Sequence, residues 1–347
     1  MEELSRLGPE TIVFPGLGLE FEVGKEAFNL FGFSVKWYGM MIGIGLLLAL
    51  MYCFKRARKF GLESDRLIDA AMAGVVGAVI GARGYYVALH PDNFHDIKDI
   101  LAIRDGGLAI YGGIIGGLLF GCITAKLRGL KVRPCMDLAA MGFFIGQCCG
   151  RWGNFFNQEC FGGNTDLPWG MSGGLIQNYL LSHQASLAVQ GMEVDPYLPV
   201  HPCFLYESVW CFFGFLILHF TSKKRKFDGQ LFCMYVLWYG LGRFFIEGMR
   251  TDSLYIGKFR ASQCLAMISA LAAAVILVTG LVIAKKKGVS LYCESEQSKA
   301  LLAEADRLEK EAEEQERIRK EQRRSKKTEL TAEQKIIDDE EDESGSL

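Results

Sequence analysis

Seven apolar stretches constrain this chain more than any other feature. They lie at about 37–54, 67–89, 106–125, 135–150, 202–220, 229–247 and 261–284. Crossing the hydrocarbon of a bilayer takes about 20 residues. One such stretch could be a buried helix of a globular protein; seven, with little polar sequence between them, read as membrane spans. The fourth is the shortest and contains Asp137. Composition agrees once the chain is divided. Residues 293–347 hold 29 charged side chains in 55, whereas the preceding 292 residues hold 49, about 17%. A globular domain carries about 25%. Collagen-like, disulfide-scaffold and wholly disordered chains are excluded. So is an ordinary nucleic-acid binder, because the excess of basic residues in the body follows membrane topology instead.

That topology is written in the loops. Lys55, Arg56, Arg58, Lys59 and Arg66 follow the first span, and Lys126, Arg128, Lys131 and Arg133 follow the third. Lys223, Lys224, Arg225 and Lys226 follow the fifth, and Lys285, Lys286 and Lys287 the seventh. These connections carry 16 basic residues in 32 positions, against nine in the 116 positions of the opposite-side segments. Short basic loops stay in the cytoplasm. The expected fold is an all-α integral membrane protein, a bundle of seven transmembrane helices with its N-terminus outside and its C-terminus cytoplasmic. Residues 1–36 form an extracytoplasmic N-terminal segment. Residues 37–287 form the seven-span domain, with an outer loop region at 151–201. Residues 288–347 are a charged cytoplasmic tail, helical over about 295–330 and disordered across the acidic run at 338–343. No cleavable signal peptide is apparent, so the first span reads as a signal anchor.

Glycines recur at four-residue spacing, as Gly39/Gly43, Gly77/Gly81, Gly112/Gly116, Gly113/Gly117/Gly121 and Gly142/Gly146/Gly150. Small residues let helix backbones approach in lipid, where hydrophobicity supplies no drive to associate. The 11 cysteines show no CxxC and no metal-ligand spacing. Most fall inside spans, where a thiol packs as a small hydrophobe. Cys160 lies outside the spans, where it could oxidise or react, and the sequence does not decide which.

Charges at bilayer depth are costly and are usually functional. Arg83 sits late in the second span, in Gly81-Ala-Arg-Gly-Tyr-Tyr86. Arg151 stands at the outer end of the fourth. The sixth carries Tyr239, Arg243, Glu247 and Arg250, which fall within about 80° of one helix face. These groups all lie toward the outer leaflet. Arginine suits a phosphate because its planar fork reaches two oxygens together. The plainer readings are an i,i+4 ion pair for Arg243 and Glu247 and interfacial snorkelling for Arg250. The outer loop adds Asn154, Asn157, Glu159 and Gly162, and His201-Pro202 opens the fifth span. The residues alone point to an outer-leaflet site for an anionic lipid headgroup, and leave open an enzyme or a transporter of an anionic lipid or anion.

The run Gly150-Arg-Trp-Gly-Asn-Phe-Phe-Asn-Gln-Glu-Cys-Phe-Gly162 resembles the signature of the bacterial prolipoprotein diacylglyceryl transferases. Trp37-Tyr38-Gly39, Gly81–Tyr86, Gly106-Gly-Leu-Ala-Ile-Tyr-Gly-Gly113, Asp137, His201-Pro-Cys-Phe-Leu-Tyr-Glu207 and Arg243-Phe-Phe-Ile-Glu247 are similar to further family motifs, in family order, over about 30–285. The charged tail is outside that core.

The resemblance implies a multi-pass enzyme of the bacterial plasma (inner) membrane. It would move the diacylglyceryl group of phosphatidylglycerol onto the lipobox cysteine of a prolipoprotein signal peptide. The products would be a thioether-linked lipid and glycerol phosphate. The partners implied are membrane lipid and prolipoprotein, with no nucleic acid, no metal and no cofactor. Arg151 and Arg243 would act on the departing phosphate, which needs fixed positive charge rather than a proton. Glu247 would orient Arg243. Asn154, Asn157 and Glu159 would hold the headgroup or loop, and Gly162 would permit a turn. Tyr38 and Tyr239 match functional tyrosines. Arg83 and His201 are further candidates for the substrate site, Arg83 and Asp137 having a structural alternative. Tyr111 stands where many relatives carry a histidine assigned as the base, and Lys36 also replaces a common histidine. A tyrosine hydroxyl ordinarily ionises near pH 10, unless nearby arginines lower it. So Tyr111 is a candidate base or a lipid-positioning group, and the thiol proton could pass to water or to His201. A thiol that ionises near pH 8.5 needs little help.

Overall fold

A computed structural model describes residues 4–30, 32–94, 96–102, 106–189, 191–251, 255–256 and 259–344. Residues 1–294 form one compact unit and the chain from Ser295 forms a second. In the first unit, seven long helices coincide with the seven apolar stretches. They are α1 (Trp37–Ala57), α2 (Ser64–Leu89), α4 (Ile110–Leu127), α5 (Val132–Asn157), α7 (Cys203–Thr221), α8 (Gln230–Met249) and α9 (Ala261–Lys287). Two shorter helices, α3 (Ile97–Leu101) and α6 (Gly174–Val189), lie in the connections. Five of the long helices are apolar enough, as well as long enough, to cross a membrane: α1, α2, α4, α7 and α9. The other two, α5 and α8, are the ones that carry Asp137, Gln147, Arg151 and Asn154, and Gln230, Arg243 and Glu247.

Two expectations about these helices change. The fourth apolar stretch is not short: α5 runs for 26 residues and takes Arg151, Asn154 and Asn157 into its last two turns. The outer loop therefore begins at Gln158, whose left-handed backbone (φ 55°) ends the helix. Polar residues there hid a helix that hydropathy alone could not see. At the end of α8, Arg250 has extended backbone (ψ 142°) and pairs with Gly162 across an isolated bridge. It has left the helical face on which its spacing from Tyr239 placed it.

The helices pack as a glycine seam on one side and an aromatic and polar core on the other. A Cβ on Gly77 would sit 2.7 Å from the Gly116 carbonyl oxygen, and Cβ atoms on Gly81 or Gly112 would strike each other's backbone. α2 and α4 are thus in direct backbone contact, as small-residue spacing in lipid requires. The spacing did not have this meaning everywhere: Gly39, Gly43, Gly146 and Gly150 face open space. α7 and α8 are fastened by Trp210 and Trp238, stacked at 4.4 Å. Each indole donates a 2.9 Å hydrogen bond to the other tryptophan's carbonyl. At the far end of α5, Asp137 is fully buried and accepts from the Gly229 and Phe232 amides at 2.7 and 2.9 Å. It caps the free N–H groups that begin α8, a structural task.

Strands complete the N-terminal part. β1 (Thr11–Phe14) is the centre of a three-stranded sheet between β2 (Leu19–Glu22) and β5 (Ser172–Gly173). β3 (Glu26–Leu30) and β4 (Phe33–Lys36) form a hairpin leading into α1, and β6 (Tyr255–Ile256) pairs with β7 (Phe259–Arg260) before α9. β1 and α6, with the loop between α5 and α6 and the ends of α5 and α7, build a small second core in which Ile12, Phe155, Met171, Ile176 and Phe204 are buried. This cap stands on the ends of α5 and α7 that hold Arg151 and Glu207. In the second unit, α10 (Glu296–Ser344) is a single helix. It continues through the acidic run 338–343 that was expected to be disordered. Its sequence is rich in strong helix formers, and i,i+4 pairs such as Lys320–Glu316 at 2.7 Å support its exposed surface.

Candidate active site

α5, α7 and α8 each bring charge to one place. Arg151 Nε lies 2.5 Å from Glu207 Oε2, and the other Glu207 oxygen lies 2.5 Å from Arg243 Nη1. Arg243 Nη2 is in turn 2.6 Å from Glu247 Oε2. The result is a chain of alternating sign, Arg151–Glu207–Arg243–Glu247, across three helices. Glu207 and Glu247 are buried at 4% and 2% exposure, whereas the arginine side chains keep 21% and 18%. Buried charges need such pairing to remain ionised.

The two arginines are not equivalent. Arg243 is braced by two carboxylates. Arg151 has one, and its Nη1 makes only long approaches, 3.5 Å to Asn154 Oδ1 and 3.7 Å to Cys160 Sγ. Its Nη2 has no partner among the described residues. Arg151 is therefore the arginine with donors to offer an anion.

Around this chain stand most of the other expected site residues. Tyr239 is within electrostatic reach of Arg151, Glu207 and Arg243, and its ring stacks on Tyr235. Tyr235 accepts from Gln147 at 2.9 Å. Tyr38, beside Trp37 stacked on Phe156 at 4.6 Å, is near Arg151, Glu159 and Cys160. Asn154 is buried and its amide lies 3.5 Å from Glu159, while Asn157 closes the last turn of α5. Cys160 is buried and adopts a left-handed conformation (φ 57°).

Gly162 is needed for close approach, and its φ is not positive. A Cβ there would lie 2.8 Å from the Met249 carbonyl oxygen and 3.0 Å from the His201 Cβ. Its amide donates to the His201 carbonyl at 2.8 Å, so it ties the loop to the starts of α7 and the end of α8. His201 itself shares a hydrogen bond with the Tyr206 hydroxyl (3.1 Å), which accepts from Trp169 (2.9 Å). Burial pushes the His201 imidazole below its usual 6.5, because a charged ring loses hydration there.

Arg83 and Tyr111 are not joined to the chain. Arg83 is 7% exposed and gives its N–H groups to five backbone carbonyls. Asp99 (2.6 Å), Gly106 (2.7 Å), Ile100 (2.8 Å) and Gly107 (3.0 Å) accept closely, and Ala102 accepts at 3.4 Å. A guanidinium has five donors, so this one organises the α2–α4 connection and has none left for an anion. Tyr111, in the first turn of α4, is 45% exposed.

The residue that sequence reasoning passed over is Glu207. It was visible as part of a motif but given no role. The signal was there: a carboxylate in the first turns of an otherwise apolar helix, Cys203–Thr221, must have a cation beside it.

Comparison with known proteins shows the family. The model of the family described as prolipoprotein diacylglyceryl transferase matches residues 25–279. Relatives named phosphatidylglycerol–prolipoprotein diacylglyceryl transferase include one from Finegoldia magna, 39% identical over 73% of this chain and 94% of its own length. Another, from Clostridioides difficile, is 37% identical over 70% of this chain and 90% of its own. A third, from Bacillus mycoides, is 36% identical over 78% of this chain and 96% of its own. With a matching model over most of its length, and with all four members of the ion-paired chain inside the matched region, this protein belongs to the prolipoprotein diacylglyceryl transferase family.

Proposed function

We propose that this chain transfers the diacylglyceryl group of phosphatidylglycerol to the cysteine thiol of a prolipoprotein, at the Arg151–Glu207–Arg243–Glu247 chain. The names of its relatives support the two substrates, and the ion-paired chain is the observation that carries the site. The thiol sulfur of the lipobox cysteine attacks the glycerol carbon that bears the phosphate. A C–S bond forms, the C–O bond to phosphate breaks, and glycerol phosphate leaves with the electron pair. The thiol proton leaves to water or a nearby base.

The phosphate already carries charge, and more develops on its bridging oxygen as the bond breaks. Fixed cations aimed at that oxygen lower the barrier without reorganising. Arg151 presents its unoccupied donors to the phosphate. Glu207 and Glu247 hold the guanidinium of Arg243 in plane, and Glu207 couples it to Arg151. Tyr38, Tyr239, Asn154, Asn157 and Glu159 surround the headgroup and the loop. The polarity of the site, lying at one end of α5, α7 and α8, fits a lipid-metabolising enzyme better than a transporter, whose site belongs near the bilayer midplane.

Seven spans, the N-terminus outside and residence in the bacterial plasma membrane are part of the same reading. The basic residues after α1, α4, α7 and α9 support it. The direct test mixes purified protein, phosphatidylglycerol and a lipobox peptide and follows the peptide by mass spectrometry. A diacylglyceryl mass gain on the cysteine, absent when that cysteine is serine, supports transfer. No gain, in a preparation that binds phosphatidylglycerol, refutes it.

A further inference from the structure

A lateral groove of about 410 Å³ lies between α1 and α7, on the face of α5. That volume is within the range of small-ligand sites. Leu48, Met51, Phe144, Ile145, Phe212 and Phe215 make it apolar. The α1 side of its lining ends at Lys55, and Tyr52, one turn earlier, closes the floor: its hydroxyl shares a 2.7 Å hydrogen bond with His219 Nδ1. Arg56, Lys59 and Lys223 surround His219. Lys55, Lys59 and Lys223 are exposed. An apolar trough with cations at one rim matches an acyl chain with an anionic head. On the topology proposed above, that rim is cytoplasmic, at the end opposite Arg151.

We infer that this groove is a second lipid site, which holds an anionic phospholipid of the cytoplasmic leaflet, its acyl chain along Leu48, Met51 and Phe212 and its phosphate at Lys55, Lys59 and Lys223. The inference rests on the membrane orientation of the proposed function, not on the transfer chemistry. The occupant is anionic because each basic group at a membrane surface attracts such a head by about fivefold in affinity. Its apolar part lies in the groove because α1 and α7 leave Met51 and Phe212 more exposed, at 55% and 49%, than a helix seam would.

The test uses full-length protein in phosphatidylcholine nanodiscs doped with phosphatidic acid, an anionic probe without a glycerol headgroup, and counts retained lipid by native mass spectrometry. Wild type should retain one phosphatidic acid. The combined substitutions Lys55→Gln, Lys59→Gln and Lys223→Gln should lower that retention more than tenfold, and Met51→Trp, which fills the groove, should abolish it. The same comparison in an Arg151→Ala background removes lipid held at the active site from the count. Equal retention in the triple-lysine variant, in either background, overturns the inference. The lysines are on the surface, so their variant keeps the test decisive even if Met51→Trp does not fold. Labelling Lys55 with an impermeant amine reagent, from outside on intact cells and from inside on inverted membrane vesicles, tests the orientation separately. Labelling from outside would end both readings, whereas retention unaffected by the lysines, with labelling only from inside, ends this one alone.

Discussion

Arg83 and Arg151 are both arginines toward one end of apolar helices, and they finish in opposite states. On the α2–α4 side, five backbone carbonyls saturate Arg83. On the α5–α7–α8 side, Arg151 shares one carboxylate and retains open donors. The first side is bonded backbone to backbone through glycine; the second is held by side chains from three helices. An arginine in a membrane protein is thus not a binding residue by position. What separates the two roles is the number of donors left after the fold has satisfied itself.

The sharpest way to test that contrast is to remove Arg151. Arg151→Ala should lower transfer to the lipobox peptide by about 10²–10³-fold or more while the thermal midpoint stays near wild type, since Glu207 remains paired with Arg243. Arg243→Ala should lose transfer on the same scale. Near-wild-type rates in both would remove the proposed phosphate clamp. Next is Glu207→Leu, which leaves two guanidinium groups facing each other without their shared counter-ion. Breaking a buried pair in this way costs about 3–5 kcal/mol, to be read as a lower unfolding midpoint in detergent together with lost activity. A variant as stable as wild type would show that Glu207 is not the centre of the chain. Arg83→Ala should reverse the pattern. The α2–α4 connection loosens at about 2–3 kcal/mol, while the rate per folded molecule changes only a few-fold. A selective loss of rate would return Arg83 to the substrate site.

Two smaller effects sharpen the picture. Tyr111→Phe should change the rate less than about threefold, because Tyr111 is not joined to the ion-paired chain; a loss of 10² or more would make it an acid–base group. His201 supplies the smallest. Its folded pKa is below 6.5, so the unfolded chain binds a proton that the folded chain refuses as pH falls through and below that value. Stability should therefore decline from pH 7 toward pH 5, and His201→Asn should flatten that part of the profile. An unchanged slope in the variant would assign the decline to another group.

Much of this was legible in residues alone. All seven long helices lie where apolar runs were counted, and five of them are long and apolar enough to cross a membrane. The Arg243–Glu247 pair followed from i,i+4 spacing. The length of α5 was not legible, since Arg151, Asn154 and Asn157 depress hydropathy without breaking a helix. Nor were the strands, whose partners are far apart in sequence: Val13 pairs with Ser172. Arg83 and Arg151 looked alike because carbonyl partners carry no sequence signature.

The order of elements, their membrane character and the residues available for phosphate chemistry were set by local pattern and composition, which act over one or two helical turns. Which arginine keeps a free edge, and that Glu207 stands between two of them, was decided by packing. Those contacts join residues 36 or more positions apart in three different helices, and only the folded chain brings such charges within 3 Å.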